Sequence, residues 1–174
     1  MKDNMTDIET LGKKPGCVIL SIGAVAFHPL SFETGPKFYA NINVTDAMNR
    51  GFFTDPDTVA WWEKQSQAAK DHLVPNQLPI EEALRSFSQW FKAVGSEKIW
   101  CHGAPFDAPI LEHAMTYLGI PVPWKYYNVR DTRTVFDLFQ FDINSVKREG
   151  THHSALADAE HQAFCIQNAL APRV

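Results

Sequence analysis

The feature that most constrains the fold is a nearly unbroken run of apolar and small residues over positions 17–27. Because both alternating faces of this run are apolar, a strand formed there must be covered on both sides. The run therefore predicts a central strand. The turn-forming residues from His28 to Pro36 and the following segment, residues 37–42, predict a return strand. With the strand that contains Asp7, these segments form an antiparallel meander.

The second half of the chain predicts helices and a parallel strand pairing. Apolar residues recur at helical spacing from Ile80 to Val94, and Gly95 ends that helix. A short buried strand over residues 98–101, a tight loop and a helix over residues 106–118 form a βα unit, which requires a parallel sheet. The remaining predicted elements are two short helices within residues 54–70, a fifth strand over 124–129, a helix over 131–139 and a last helix from Ser154 to about Leu170.

Length and composition indicate one domain spanning residues 1–174, since 45% hydrophobic residues suffice for a packed core. The first 15 residues carry scattered charges and the chain has no apolar stretch of 18 residues, so we expect a cytoplasmic protein with no membrane partner. Three cysteines are widely separated within apolar runs, which predicts buried, reduced thiols: Cys17, Cys101 and Cys165.

Asp7 and Glu9 lie two residues apart in the predicted first strand. The twofold period of a strand places both carboxylates on one face, while Ile8 points into the core. Two like charges held so close favour a divalent cation, and Mg²⁺ and Mn²⁺ prefer carboxylate oxygens. Such a pair is, however, more often a solvated strand face. By itself it predicts no more than a candidate metal site.

Two further carboxylates stand at the starts of helices. Asp107 falls in the first turn of the helix after the fourth strand, and Asp158 falls in the first turn of the last helix, five residues after His153. Each position alone is explained by the positive end of a helix dipole. If the first and fourth strands are parallel neighbours, however, all four carboxylates meet at one edge of the sheet. This convergence favours a metal site.

Three segments occur in order along the chain: Asp-Ile-Glu-Thr at residues 7–10, Gly-Ala-Pro-Phe-Asp at residues 103–107 and His-Ser-Ala-Leu-Ala-Asp at residues 153–158. Together they resemble the motifs of the DEDDh 3′ to 5′ exonucleases of the ribonuclease-H-like superfamily. A histidine separated by four residues from the last aspartate marks the h subtype. The tryptophan pair within residues 58–66 resembles that of small phage and bacterial exonucleases. The resemblance spans nearly the whole chain.

The resemblance implies an α/β fold of the ribonuclease-H-like type, with a five-stranded mixed sheet in the order 3-2-1-4-5 flanked by helices. It also implies a metal-dependent exonuclease that releases nucleoside 5′-monophosphates from the 3′ end of DNA or RNA. Two divalent ions, Mg²⁺ or Mn²⁺, would be its cofactors, because two such ions can stabilise the attacking and leaving oxygens of a phosphodiester displacement together.

The resemblance further implies a role for each site residue. Asp7 would bridge the two ions. Glu9 and Asp158 would complete the shell of the ion that holds the attacking water, and Asp107 would serve the second ion. His153, rather than His152, would accept the proton from that water, since histidine has an unperturbed pKa near ~6.5.

Residues next to these motifs are expected to contact the substrate, namely Thr10, Leu11, Trp62, His102 and Phe106. For Trp61 and Trp62, packing in the core is as good an explanation as stacking on terminal bases. His102 stands where many family members have asparagine, and Thr6 is more polar than the usual neighbour of the first aspartate. Basic residues that are candidate phosphate contacts, or otherwise solvated surface, are Lys13, Lys14, Arg130, Arg133, Lys147 and Arg148.

Alternatives stay open on the substrate and on the activity. An RNA-trimming exoribonuclease is one alternative, and the sequence does not separate DNA from RNA. A catalytically silent nucleic-acid-binding domain is another, which is disfavoured because it gains nothing from four crowded carboxylates. The net charge of −4 argues against binding nucleic acid by bulk charge, although two divalent ions would balance it. Relatives often form dimers, so a homodimer is one expectation.

Overall fold

A five-stranded mixed sheet forms the centre of the computed structural model, which describes residues 1–148 and 153–171. Its strands are β1 (Asp3–Thr10), β2 (Ile19–Phe27), β3 (Thr34–Asn41), β4 (Lys98–Cys101) and β5 (Val129–Asp131). Their order is β3-β2-β1-β4-β5. The first three strands pair antiparallel, whereas β4 runs parallel to both β1 and β5. The predicted meander, the parallel βα unit and the implied strand order are all confirmed.

Seven helices connect and cover the strands in the described part of the chain. They are α1 (Val44–Asn49), α2 (Pro56–Glu63), α3 (Gln67–Asp71), α4 (Ile80–Ala93), α5 (Ala104–Tyr117), α6 (Thr132–Phe139) and α7 (Ala155–Leu170). The predictions for α2 to α7 are confirmed to within about two residues at their starts, whereas α1 was not predicted. Its signal is Asn43, whose side-chain oxygen accepts the N–H of Asp46 at 2.9 Å as an N-cap. None of the helices among the described residues has the length and apolarity needed to cross a membrane.

Two hydrophobic cores lie on opposite faces of the sheet. Ile8 and Ile22, which pair across β1 and β2, pack in the larger core with α4 and α5. Met5 and Val25, also a cross-strand pair, pack in the second core with α7. All nine residues of β2 are buried, as its apolar sequence predicted. Cys17, Cys101 and Cys165 are buried free thiols, which confirms that prediction as well.

The fifth strand lies later in the chain than predicted. Residues 124–129 were expected to form it, but β5 covers Val129–Asp131 and a 3₁₀ turn occupies Tyr126–Asn128. The apolar signal comes instead from Trp124, which packs on Phe91 of α4 at a ring-centroid distance of 5.6 Å. Its indole N–H donates to Glu112 Oε1 at 2.7 Å. Trp124 is thus buried by helix contacts and not by strand pairing.

The third strand begins earlier than predicted, at Thr34, so it includes Gly35 and Pro36. Both residues are turn formers, which made this segment read as a loop. Proline is nevertheless tolerated on an edge strand, and β3 is an edge of the sheet.

Gly23 on β2 fixes the approach of α7 to the sheet. A Cβ built on Gly23 would lie 2.2 Å from the backbone carbon of Ala155 and from the backbone nitrogen of Leu156. The first turn of α7 therefore contacts the β2 backbone directly. Gly23 pairs with Asp7 in the sheet register, so this contact brings the start of α7 over the acidic part of β1.

Candidate active site

The centre of the site is the carboxyl-terminal half of β1. Asp7 and Glu9 face the side of the sheet that α7 covers, and Ile8 between them is buried in the larger core. This is the arrangement that the twofold period of a strand predicted. Glu9 pairs with Ser21 across the sheet, and a register shift follows between Glu9 and Thr10.

Asp107 reaches β1 from the first turn of α5. β4 pairs with β1 only at Asp3, Asn4 and Met5, after which the chain turns through Gly103 into α5. Gly103 has a φ of 102°, a conformation that glycine adopts at little cost. The backbone N–H of Ile8 then donates to Asp107 Oδ1 at 3.2 Å. Asp107, with 3% of its surface exposed, therefore caps the part of β1 that β4 leaves unpaired.

The start of α7 supplies Asp158 and the residue before its cap supplies His153. Asp158 is 8% exposed and forms an ion pair with Arg148. His153 has a φ of 61°, and Ser154 occupies the N-cap position. The Ser154 hydroxyl makes no capping hydrogen bond, and the Ser154 carbonyl accepts the first helical bond, from the N–H of Asp158 at 2.8 Å. His152 lies outside the described residues.

One cavity of about 280 Å³ is lined by all five residues that were predicted to carry the chemistry: Asp7, Glu9, Asp107, His153 and Asp158. Ligand atoms of Glu9, His153 and Asp158 lie within 4.8 Å of one another. Residues separated by up to 151 positions in the chain thus converge in the fold.

Burial dominates the electrostatics of the cavity. Burial raises the pKa of Asp7 to about 7. A hydrogen bond from Gln162 and the charge of Arg148 lower this pKa and so offset part of the effect of burial. Burial, followed by the charges of Asp7 and Asp107, raises the pKa of Glu9 to about 9. The pKa of Asp107 is also raised well above its usual value by burial and by Asp7. The charge of Asp7 therefore disfavours the ionised forms of Glu9 and Asp107.

The donor set fits hard divalent cations. Four carboxylates crowd together, and Arg148 offsets only part of their charge. Gln162 Oε1 is buried in the same cavity and makes no hydrogen bond within residues 1–148 and 153–171. Oxygen donors of this kind are the preferred ligands of Mg²⁺ and Mn²⁺.

A second cavity, of about 330 Å³, adjoins the first and shares Ile8, Glu9 and Phe106 with it. We call it the aromatic cavity because Trp61, Trp62 and Phe106 line it. Thr10 lines it too, and its hydroxyl donates to the carbonyl of Gly12 at 2.6 Å.

The two tryptophans of the aromatic cavity differ in burial. Trp62 is 6% exposed, and its indole N–H donates to the carbonyl of Thr10 at 2.9 Å, so it mainly fills the core. Trp61 is 43% exposed. Leu11 packs against the larger core and lines neither cavity, so its contact with substrate stays a prediction.

His102 borders the carboxylate cavity from the end of β4. Its Nδ1 lies 2.8 Å from Thr132 Oγ1, and Arg133 Nε lies 3.4 Å from its Nε2. Burial, followed by the charge of Arg133, lowers the pKa of His102, so the ring is neutral at neutral pH. Asp131 is the N-cap of α6 and also accepts the N–H of Ala104 at 3.1 Å.

Only some of the predicted basic residues reach the site. Arg148 lines the carboxylate cavity, Arg133 contacts His102, and Lys13 lines the aromatic cavity. Arg130, in contrast, donates to the carbonyls of Tyr127 and Val129.

Gln162 was not predicted from the sequence. It is 7% exposed, and its Nε2 donates to Asp7 Oδ1 at 2.8 Å. The available signal was its position four residues after Asp158, which places both side chains on one face of α7.

A family model described as the 3′-5′ exoribonuclease Rv2179c-like domain matches residues 2–170. The chain belongs to this family. It is also similar to the exodeoxyribonuclease of Enterobacteria phage T4, with 24% identity over 161 residues that cover 77% of this chain and 70% of that relative. These findings confirm the resemblance and make the protein a 3′ to 5′ exonuclease, a hydrolase of nucleic acids.

Solved structures confirm the fold. The nuclease domain of 3′hExo, a DEDDh family member bound to rAMP, matches with a TM-score of 0.62 and 11% identity, over 97% of this chain and 90% of that one. Pop2p of S. pombe, in its Mg²⁺- and Mn²⁺-bound form, matches with a TM-score of 0.58 and 16% identity, over 95% and 81% of the chains. At these identities the likeness shows the ribonuclease-H-like fold alone.

Proposed function

We propose that the protein removes nucleoside 5′-monophosphates from the 3′ end of a nucleic-acid strand with the help of two divalent ions. The convergence of four carboxylates and His153 on one cavity carries this proposal. A domain that only binds nucleic acid has no use for four carboxylates gathered in one cavity, where burial raises the pKa values of Asp7 and Glu9.

The carboxylates are proposed to hold the ions. Asp7, in the middle of β1, would serve both ions. Glu9 and Asp158, whose oxygens lie near a ring nitrogen of His153, would hold one of them, and Asp107, which lies near Asp7, would serve the other. Bound ions of this type make water a nucleophile near neutral pH and stabilise the attacking and leaving oxygens of the phosphodiester.

His153 is proposed as the general base. Its ring nitrogen lies within 4.8 Å of carboxylate oxygens of Glu9 and Asp158. A water held between these groups is within reach of the imidazole, which accepts a proton as the water attacks the phosphorus atom. The bond between phosphorus and the 3′ oxygen of the preceding nucleotide breaks as the bond to the water oxygen forms. The terminal nucleoside 5′-monophosphate leaves, and the 3′ oxygen takes up a proton from solvent, so the shortened strand ends in a 3′ hydroxyl.

The surroundings of the carboxylates divide into a base side and a phosphate side. The aromatic cavity offers ring faces of Trp61 and Phe106 for the terminal base, and stacking of this kind tolerates any base. On the other side, Arg148 and His102 line the carboxylate cavity. A guanidinium suits phosphate recognition because it can donate two parallel hydrogen bonds.

RNA is the substrate that we propose to test first. The family model, whose description names an exoribonuclease, spans nearly the whole chain. The phage T4 relative is named an exodeoxyribonuclease, so DNA is the matched alternative. A single domain over residues 1–174, a homodimer and a cytoplasmic location stay predictions.

The test is digestion of RNA and DNA strands of the same sequence, labelled at the 3′ end, with single-stranded and recessed ends compared. We expect labelled mononucleotides to appear with Mn²⁺ or Mg²⁺ and not with EDTA. Internal cleavage, or strand binding with no mononucleotide release in Mn²⁺, would contradict the proposal. The second outcome would instead indicate a silent nucleic-acid-binding domain.

A further inference from the structure

Trp61 contacts the proposed general base. The ring centroids of Trp61 and His153 lie 4.9 Å apart at an interplanar angle of 83°. Trp62 also approaches His153, at 6.1 Å and 74°, and the two indoles meet each other at 5.3 Å and 84°. The three rings therefore form an edge-to-face cluster, a favoured geometry for aromatic pairs.

The indole side of this cluster is fixed to the sheet. Trp62 is buried and donates to the carbonyl of Thr10, the last residue of β1. At the start of α2, the backbone N–H of Asp55 donates to Leu11 O at 2.7 Å. The Asp55 carboxylate then accepts from Thr58 Oγ1 at 2.8 Å. The helix that carries Trp61 is thus tied to the strand that carries Glu9.

His153, by comparison, lies just outside a helix. It precedes the N-cap of α7 and has a φ of 61°, a conformation that is uncommon for residues other than glycine. The imidazole therefore projects from the residue before the N-cap and not from α7 itself. Trp61, which it contacts, belongs to α2, an element distant from α7 in the chain.

We propose that Trp61 is a positioning residue that holds the His153 imidazole towards the carboxylates. This inference rests on the proposed function. Trp61 also lines the aromatic cavity, where the 3′-terminal base is proposed to bind. A base in that cavity and the imidazole of His153 therefore touch the same indole. Binding of the terminal base restrains Trp61 and, through it, orders the general base.

The proposal predicts a loss in kcat when Trp61 is replaced by leucine. A displacement of about 1 Å at a reacting group can cost on the order of 10²-fold in rate. We expect Trp61→Leu to lower kcat by about 10- to 100-fold, and Trp61→Phe, which keeps a ring edge, to restore most of it. Trp90→Phe is the matched control. Trp90 packs between Phe38 and Phe87, outside both cavities.

Two further measurements separate positioning from stacking or a general structural role. In a His153→Ala background, Trp61→Leu should leave kcat unchanged to within about twofold, because the residue acts through the imidazole. Independently of activity, the imidazole proton signals of His153 should change position in Trp61→Leu measured in EDTA, and not in Trp90→Phe, since the ring current of the adjacent indole is lost.

Three results would overturn the proposal. The first is an effect of Trp61→Leu on KM alone. The second is the same loss in kcat with and without His153. The third is an imidazole signal that does not move, which would refute the contact even if the protein proved to have no exonuclease activity. If the contact is present and activity is absent, the proposed function fails instead.

Discussion

At the scale of single residues, the site depends on carboxylates placed where water cannot screen them. Asp107 is held by a backbone N–H of β1 and Asp7 by the amide of Gln162. These contacts fix the oxygens but do not remove the cost of burying their charge. A cation that neutralises the carboxylate cluster should therefore stabilise the folded protein.

The raised pKa values predict how stability changes with pH in EDTA. A carboxyl group whose pKa is raised in the folded protein binds protons more tightly there than in the unfolded chain. Its contribution to the free energy of unfolding is therefore complete at low pH, and it is lost as the pH rises through the pKa of the group in the folded protein. These values are about 7 for Asp7 and about 9 for Glu9. We expect the melting temperature to fall from about pH 5 to about pH 8.

The fall should become smaller in Asp7→Asn, which cannot ionise at this position, and stay unchanged in Asp137→Asn, a substitution on the exposed side of α6. Thermal unfolding monitored by circular dichroism across this pH range measures both. Equal pH dependence in the parent and in Asp7→Asn would show that the Asp7 carboxyl does not carry the effect.

The two neighbouring histidines are predicted to differ. Loss of a general base commonly costs ~10²- to 10⁴-fold in rate. His153→Ala should lose activity by that order at neutral pH and lose the acidic limb of the pH–rate profile, while His152→Ala should stay within a few-fold of the parent. Rates of mononucleotide release against pH test this. The reverse ranking would require a different alignment of the third motif.

At the scale of elements, α7 is the part that completes the site, and Gly23 determines how closely it approaches. The sequence predicted α7 as the last helix but not its distance from β2. That distance depends on one missing Cβ, which would lie 2.2 Å from backbone atoms of Ala155 and Leu156. Asp158 and Gln162 reach β1 because of this close contact.

Gly23→Ala should therefore destabilise the protein and reduce activity together. Overpacking a core typically costs 1 to 3 kcal/mol, and we expect about 3 kcal/mol here because backbone atoms must move. Gly35→Ala on β3 is the matched control, since its Cβ would lie 3.0 Å from the flexible side chain of Met1 and 3.3 Å from the Ala26 Cβ, with no backbone atom nearer than 3.6 Å. Urea unfolding and kcat should both change in the first variant and hardly in the second. A fully stable and active Gly23→Ala protein would contradict this account.

The elements that sequence patterns predicted well are those whose burial comes from their own periodicity. The apolar run of β2 and the helical stripe of α4 belong to this group. The fifth strand was misplaced because Trp124 is buried by a helix that is distant in the chain. The five residues proposed to carry the chemistry were predicted from the three sequence motifs: Asp7, Glu9, Asp107, His153 and Asp158. The link from Gln162 to Asp7 and the ion pair of Arg148 with Asp158 depend on tertiary contacts that no local pattern records.

At the scale of the whole molecule, two cavities meet along β1, one lined by carboxylates and one by aromatic rings. Glu9 and Phe106 belong to both, so a nucleotide base and its phosphate can be held at once. Because the net charge is −4, we expect the attraction of a polyanion to come from the proposed metal ions and from the few basic residues that line the two cavities.

Divalent ions should consequently stabilise the fold. A ligand at about 100 times its Kd contributes about 2.7 kcal/mol per site, which is roughly 5 to 10 °C for a domain of this size. We expect added Mn²⁺ or Mg²⁺ to raise the melting temperature by this order. Asp137→Asn should respond like the parent, whereas Asp158→Asn should respond less. A flat thermal shift up to millimolar Mn²⁺ would count against the metal site.

The central claim is that Asp7 holds both ions of a two-metal nuclease site. The most direct test is the rate of mononucleotide release by Asp7→Ala in Mg²⁺, with folding checked by circular dichroism. We predict a folded protein that is more heat-stable than the parent in EDTA, because carboxylate repulsion is relieved, and that has no measurable turnover. Substantial turnover by the folded Asp7→Ala protein would contradict the account.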